Sequence, residues 1–394
     1  MFPRELHDRL LLVGGSVRDS LSGVPIKDID LITTLPEKTL LLHRFRRVEG
    51  KTTAPIYFKG DPLYGKIEIT RLQEDLGLEA DLIRRDFRCN AVAVTLAGQM
   101  VDPLHGVADI EKRRMYPCAS TSLKEDPIRI FRAFRFASDG WEISPELAEM
   151  IRSGNWEERL SEIPVERFSR EMVKALAGKS PADFFACLLE YDVGRCYLPE
   201  LFRMQEIPAG PAAYHGTNTL FSHSLTALRR MTGMTDDPVA RLAALFHDLG
   251  KLSTPPELLP RHIGHDRAGA EVARELASRL RLSVVQRNAI VAASKLHMTG
   301  GRWDELRDVT KLKLAEQSIK SGIAGFFPQL VAADCATTPI LAGWDEILLA
   351  VSSSAAELGI DTAALSSMND RDRTSLITQR RLEKFRQLTA VKPA

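Results

Sequence analysis

A chain of 394 residues has room for two to four domains, and its 44% hydrophobic and 27% charged content is that of an ordinary globular protein. No apolar run approaches the roughly 18 residues of a membrane span, and the first residues, MFPRELHDRL, hold no secretory core, which excludes a membrane partner and leaves a cytoplasmic protein as the expectation. Five scattered cysteines without CxxC spacing argue against a zinc knuckle, and a net charge of +1 confines any RNA contact to local patches.

Residues 1 to about 115 read as an α/β unit, with strand-like runs at Leu10–Val13, Ile29–Ile32, Ile67–Thr70 and Ala91–Leu96. The first run ends in Gly14-Gly15 and leads into an amphipathic turn through Val17, Arg18 and Leu21. Backbone without Cβ approaches a triphosphate closely, a helix N-terminus offers it free N–H groups, and a guanidinium suits its oxygens. The second run carries Asp28 and Asp30 at its start. Residues two apart on a strand share a face, so two carboxylates aim at one point and repel unless a cation, Mg²⁺ for choice, sits between them. Taken singly, a glycine pair is an ordinary turn and alternating aspartates are a solvated face. Glu68 on the third run could add a carboxylate to the Asp28/Asp30 pair, but is read as an exposed strand residue.

Together, G-G-x-V-R-D at Gly14–Asp19 and D-x-D at Asp28–Asp30 resemble the signature of the tRNA nucleotidyltransferase and poly(A) polymerase superfamily. The resemblance implies Asp28 and Asp30 as catalytic metal ligands, with Gly15 and Arg18 at the nucleotide. The run R-R-D-F-x-x-N-A from Arg84 is similar to the second motif of the same superfamily. It implies that Arg85 holds the triphosphate while Asp86 and Asn90 orient the sugar and the arginine.

The run Glu125-Asp126-Pro127-Ile128-Arg129 has two readings. Asp before Pro is a strong helix start, which makes Asp126 a cap. Asp126 and Arg129 also stand three apart, hence neighbours on one helical face. An acceptor-only and a donor-only group match the N4–H₂ or N6–H₂ donor and the ring acceptor of cytosine or adenine. They mismatch uracil and guanine at about 1–3 kcal/mol per unmatched buried group. The run resembles the template by which class II tRNA nucleotidyltransferases choose CTP and ATP. Glu125 and Arg132 join that surface, while Phe131 and Phe134 are expected in the core.

From Trp141 to about Leu201 the period is helical, and Val165–Leu176 resembles the family's neck. Phe221-Ser222-His223 opens one helix, and Val239–Leu249 forms another that ends in HDLGK with Gly250 as its stop. An aspartate in a last helical turn is disfavoured by the macrodipole, a cost that a metal would offset at Asp248. The set His223, His247, Asp248 and Asp334 has the H…HD…D order of the HD phosphohydrolase superfamily. With TPPELLPRHIGH it resembles the HD domain of one bacterial branch of these enzymes, implying a divalent metal such as Ni²⁺, Mn²⁺, Co²⁺ or Mg²⁺. Whether His262, His265 and His297 join it is left open. The basic run Gln379–Arg386 is either an RNA-backbone contact or a solvated face.

The resemblance implies an α+β fold: a nucleotidyltransferase head with a small mixed β-sheet at 1–115, then an all-α neck at 116–205 with the nucleotide-selecting helix. An HD-type body at 206–340 and a helical tail at 341–394 complete it. The implied reaction is attack by a tRNA 3′-OH on CTP, or on ATP as well, with pyrophosphate released and Mg²⁺ in the head. In relatives that add C-C-A, the place held here by Arg71–Ile83 carries a longer glycine-containing loop that CC-adding relatives lack, so C-C addition from CTP is expected. The rival readings are a full CCA-adding enzyme, a bacterial poly(A) polymerase, which the HD domain and the absence of a basic tail oppose, and an HD phosphohydrolase with an RNA-docking head.

Overall fold

The computed structural model describes residues 2–26, 28–48, 54–72, 77–215, 218–335 and 341–390. The chain divides into two compact units, Met1–Leu160 and Ser161–Ala394.

The first unit is built on a mixed sheet whose strands are β1 (Leu10–Val13), β2 (Ile29–Thr33), β3 (Arg46–Arg47), β4 (Ile56–Asp61), β5 (Gly65–Arg71), β6 (Ala93–Thr95) and β7 (Met100–Val101). Their spatial order is β3-β4-β5-β2-β1-β6-β7, and β2 runs parallel to β5 while the other pairs are antiparallel. The expected small mixed sheet is thus present. Continuous apolar character in β1 follows from its central place. Leu10 joins a core with Leu31, Tyr57, Ile67 and Ile69, whereas Leu11 and Val13 join a separate one with Ile32, Leu82 and Ala93. Period-2 alternation sends successive residues into different cores.

Strand β4 was not anticipated, because IYFKGD buries only Tyr57 fully. It forms a hairpin with β5 in which the Asp61 carboxylate accepts the N–H groups of Leu63 and Tyr64 and Gly65 takes φ +71°. The expected all-helical stretch after Trp141 is likewise interrupted, by Glu142–Ile143 pairing in parallel with Arg114–Met115. Helix Ile128–Ser138 buries Phe131, Phe134 and Phe136, as the core reading of the first two required.

The second unit is helical. Leu220–Thr232 is capped by Thr219, Pro238–Phe246 by Asp237 with proline in its first turn, and Val284–Gly301 by a full Ser283/Gln286 capping box. The last helix, Asp370–Ala390, inserts Leu382 and Phe385 into a core shared with Trp303, Phe327 and Trp344. Its basic residues meet acids of the same unit, Arg381 pairing with Glu316 and Arg386 with Asp308. Among the described residues no helix is long and apolar enough to cross a membrane.

Gly250 is not a helix stop. The helix ends at Phe246, Asp248 stands outside it at φ −103°, and Gly250 lies inside the 3₁₀ turn Leu249–Ser253. A Cβ there would sit 1.8 Å from the His265 carbonyl oxygen and 2.5 Å from the Gly269 nitrogen. The glycine therefore serves the close approach of helix His265–Arg279. The macrodipole argument for Asp248 falls with the helix end; buried cationic and imidazole neighbours take its place.

Candidate functional site

In the first unit, Asp28 immediately precedes β2 and Asp30 lies within it, so the strand pleat governs only the second. What fixes both is Ser16, a buried residue that sequence reasoning missed. Its hydroxyl donates to the Asp28 carbonyl and accepts the Asp30 N–H, each at 2.9 Å. The β2/β5 register sets Glu68 directly opposite Asp30, and Lys66 pairs with Glu68 at 3.1 Å. Glu68 thus stands beside Asp30 in the sheet while its partly exposed carboxylate is taken by Lys66. Burial raises the Asp30 pKa first, then the charges of Glu68 and Asp28, against Arg85 and Lys66. An all-carboxylate set with mutual repulsion fits a hard cation such as Mg²⁺.

The motif residues beside it form one hydrogen-bonded chain. Arg18 is held by Asp19, stacks 4.7 Å from the Phe136 ring centroid, and donates to the Asn90 amide oxygen at 2.7 Å. Asn90 donates in turn to Asp86 at 2.9 Å, and Arg132 donates to the other Asp86 oxygen at 2.8 Å. Burial pushes the Asp86 carboxyl up, but Arg132, Asn90 and the Phe87 N–H outweigh it and hold it at about 2. Four expected residues, Arg18, Asp86, Asn90 and Arg132, are thus brought together.

Gly14, at φ +64°, has Arg85 as its close neighbour, with Nη1 3.0 Å from where a Cβ would stand. Gly15 opens helix Gly15–Leu21, and a Cβ on it would lie 3.6 Å from Arg18. Arg85 and Arg84 both bind Asp81, a buried carboxylate on helix Leu78–Ile83 that the motifs did not reveal. The Arg85 Nε is buried without a hydrogen-bond partner. Asp81, Arg84, Arg85, Glu125 and Arg129 line a pocket of about 420 Å³. The helical-face premise for Asp126 and Arg129 is not met: Asp126 is extended at φ −145°, ahead of the helix. It caps instead, accepting the Ile128 N–H at 3.3 Å. The Arg129 guanidinium is aimed by the Ser122 hydroxyl at 2.8 Å and the Arg84 carbonyl at 2.6 Å.

In the second unit, His223, His247, Asp248 and Asp334 present ligand atoms within 4.8 Å of one another, from three separate places in the sequence. The Asp248 Oδ2 lies 3.2 Å from the Nε2 of both His223 and His247, and Asp334 Oδ1 lies 3.1 and 3.2 Å from the same atoms. The His247 Nδ1–H donates to the Ala244 carbonyl at 2.8 Å, which turns the Nε2 lone pair of the neutral ring into the cluster. Burial lowers the His247 pKa, but Asp248 and Asp334 overcome it and raise the value; the two carboxylates are held low in return. Two imidazoles, Asp248 Oδ2 and Asp334 make a mixed nitrogen and oxygen set that fits a divalent metal. Lys251, also missed, donates to Asp248 Oδ2 and to the Ala209 carbonyl, each at 2.7 Å. His265 and His297 form a further group with Asp248, while His262 is engaged by Thr254 and the Pro208 carbonyl.

A glycine turn, an aspartate pair beside a parallel strand and an arginine-rich pocket define a nucleotidyltransferase head, joined in one chain to an HD-type cluster. Residues 10–116 match the poly A polymerase head domain family and residues 220–324 the HD domain family. The Multifunctional CCA protein of Legionella pneumophila (strain Paris) is 35% identical over 328 residues, 78% of this chain and 79% of that protein. The fold is also that of a CCA-adding enzyme solved with CTP (TM-score 0.65, 18% identity, 97% of this chain and 88% of that one). The Thermotoga maritima CCA-adding enzyme solved with tRNA is similar as well (TM-score 0.61, 17% identity, 98% and 88%). The chain belongs to the class II tRNA nucleotidyltransferases that carry an HD domain, and it is an enzyme.

Proposed function

We propose that this enzyme adds two cytidylates from CTP to the 3′ end of a tRNA, releasing pyrophosphate, and stops before the terminal adenylate. Asp28 and Asp30 hold Mg²⁺, which when bound favours the ionised 3′-OH and offsets charge on the leaving group. Gly15 and Arg18 flank the triphosphate and Arg85 grips it. Asp86 and Asn90 keep Arg18 and Arg132 in place, and Glu125, Arg129 and the same Asp126 carboxylate that caps the helix read the base. The same fold supports metal-dependent phosphohydrolysis at His223, His247, Asp248 and Asp334, on 2′,3′-cyclic phosphates or 2′-nucleotides.

The observation that carries the C-C limit is Asp81. Between Arg71 at the end of β5 and Leu78 at the start of the next helix stand only six residues, 72–77, of which 73–76 lie outside the described residues. The helix that follows is tied through Asp81 to both arginines of the pocket. A lever able to re-set the pocket for the larger adenine needs slack between two arrangements, and the tethered helix supplies little. Full C-C-A addition is the second reading, favoured by the name of the 35% identical relative. The test gives CTP to tRNA lacking its last three nucleotides, and ATP to tRNA already ending in C-C. Two additions to the first and none to the second are expected; efficient adenylation of the second returns the chain to the CCA-adding reading.

A further inference from the structure

The geometry points to Ser122 as a positioning residue that governs which base is accepted, by holding Arg129 and Asp126 at a fixed place relative to Arg84-Arg85-Asp86. This rests on the reading in which Asp126 and Arg129 meet the base, and it names the residue that fixes their setting.

Ser122 opens the short helical turn Ser122–Glu125 and is 1% exposed. A serine hydroxyl has one hydrogen to give and lone pairs to receive, and both capacities are used here. The hydroxyl donates to the Asp86 carbonyl at 3.2 Å and accepts an Arg129 Nη1 hydrogen at 2.8 Å. With its hydrogen committed to Asp86, the oxygen turns a lone pair to the guanidinium, so the aim of Arg129 follows from the place of the Asp86 carbonyl. The Ser122 carbonyl serves the same pair of readers. It accepts Arg129 Nη1 at 3.2 Å and the backbone N–H of Asp126 at 3.3 Å. One buried residue therefore touches both groups proposed to meet the base.

The other arm of the guanidinium is fixed by the same motif, Nη2 donating to the Arg84 carbonyl at 2.6 Å. Arg84 and Asp86 flank Arg85, so Arg129 is indexed through two backbone carbonyls to the residue proposed to grip the triphosphate. Base edge and phosphates are then set from one backbone segment. A neutral hydroxyl orients a guanidinium without cancelling its charge, whereas a carboxylate in the same place would pair with it. Glu125 is such a carboxylate, half exposed and 3.7 Å from Nη1. Without the hydroxyl, Nη1 keeps only the Ser122 carbonyl, and Glu125 competes for it. A guanidinium released in this way can turn to a base carbonyl as well as to a ring nitrogen. Uracil, which presents a carbonyl where cytosine presents an amine, then gains a partner.

Misincorporation reads this directly. The full-length enzyme and its Ser122→Ala, Arg129→Ala and double variants are given tRNA lacking its last three nucleotides with CTP or UTP, and kcat/KM is measured for each. Ser122→Ala should lower the CTP-over-UTP ratio by about tenfold, the order of one hydrogen bond to a charged group. In the Arg129→Ala background the same substitution should move the ratio by less than about twofold, because a residue acting through Arg129 has nothing left to act on. Ser122→Cys, close in shape but a weak acceptor, should give the same loss and serves where the alanine variant unfolds. A serine that only supported the fold would lower the melting temperature and both kcat/KM values together with the ratio unmoved, and that outcome overturns the proposal. An equal effect in both backgrounds overturns it as well. A ratio that Arg129→Ala leaves intact overturns the base reading and the proposal with it, whereas a ratio that collapses with Arg129→Ala and not with Ser122→Ala overturns only the assignment of Ser122.

Discussion

Asp86 is where the polar network of the head converges, and its energetics can be read by pH. Its carboxyl is held at about 2 in the fold, with burial opposed by Arg132 and Asn90. A depressed folded pKa gives stability that is present above the unfolded value of about 3.9 and lost as pH falls through the folded one. The difference amounts to about 2–3 kcal/mol. Asp86→Asn should remove that increment, leave the Arg132 charge facing a neutral amide, and cost about 3–5 kcal/mol at pH 7. Urea midpoints at pH 7 and pH 2.5 for both proteins check this. An unchanged pH dependence in the variant would show that Asp86 does not carry the network. Motif spacing revealed Arg18, Asp86 and Asn90 because each sits in a short run of distinctive chemistry. Ser16, Asp81 and Ser122 escaped, since their roles arise from register and folding rather than from neighbours in sequence.

At the scale of elements, tight backbone approaches carry much of the specification. The sequence reading took Gly250 as a helix stop from its place after HDL, and the structure makes it a packing contact. Gly250→Ala would force its Cβ onto the backbone of helix His265–Arg279, which has no flexible end to yield. We expect a loss of several kcal/mol and weakened metal loading of the helical unit, with overpacking as the cause. Thermal melts with and without Mn²⁺ check this; a melting point within a degree of the parent would mean that the turn relaxes freely. The same distinction explains the strands. Runs of continuous apolar residues, as in β1, were legible, whereas β4 was not, because only pairing with β5 makes IYFKGD a strand. The helix boundary before His247 was misplaced for a related reason: the apolar run continues past the point at which the backbone turns to deliver Asp248 into the cluster.

On the scale of the whole molecule, the chain carries a nucleotidyltransferase head and an HD-type cluster in two compact units, and its near-zero net charge leaves recognition of RNA to local surfaces. The fold class was legible because the motifs resemble one family, with apolar strand-like runs in the first unit and helical periodicity in the second. The division into two units predicts that nucleotide addition and the proposed hydrolysis are separable. Replacing His247 and Asp248 should abolish phosphohydrolysis while nucleotide addition continues, and the head aspartates should behave in the converse way. The central claim is that Asp28 and Asp30, set by Ser16 and the β2/β5 register, perform nucleotidyl transfer. Incorporation of labelled CTP into tRNA lacking its last three nucleotides, compared between the parent enzyme and Asp28→Asn or Asp30→Asn, tests it most directly. Loss of a shared metal ligand should lower the rate by about a thousandfold or more, with the melting temperature and HD hydrolysis retained. Incorporation at near-parental rate by either variant would contradict the account.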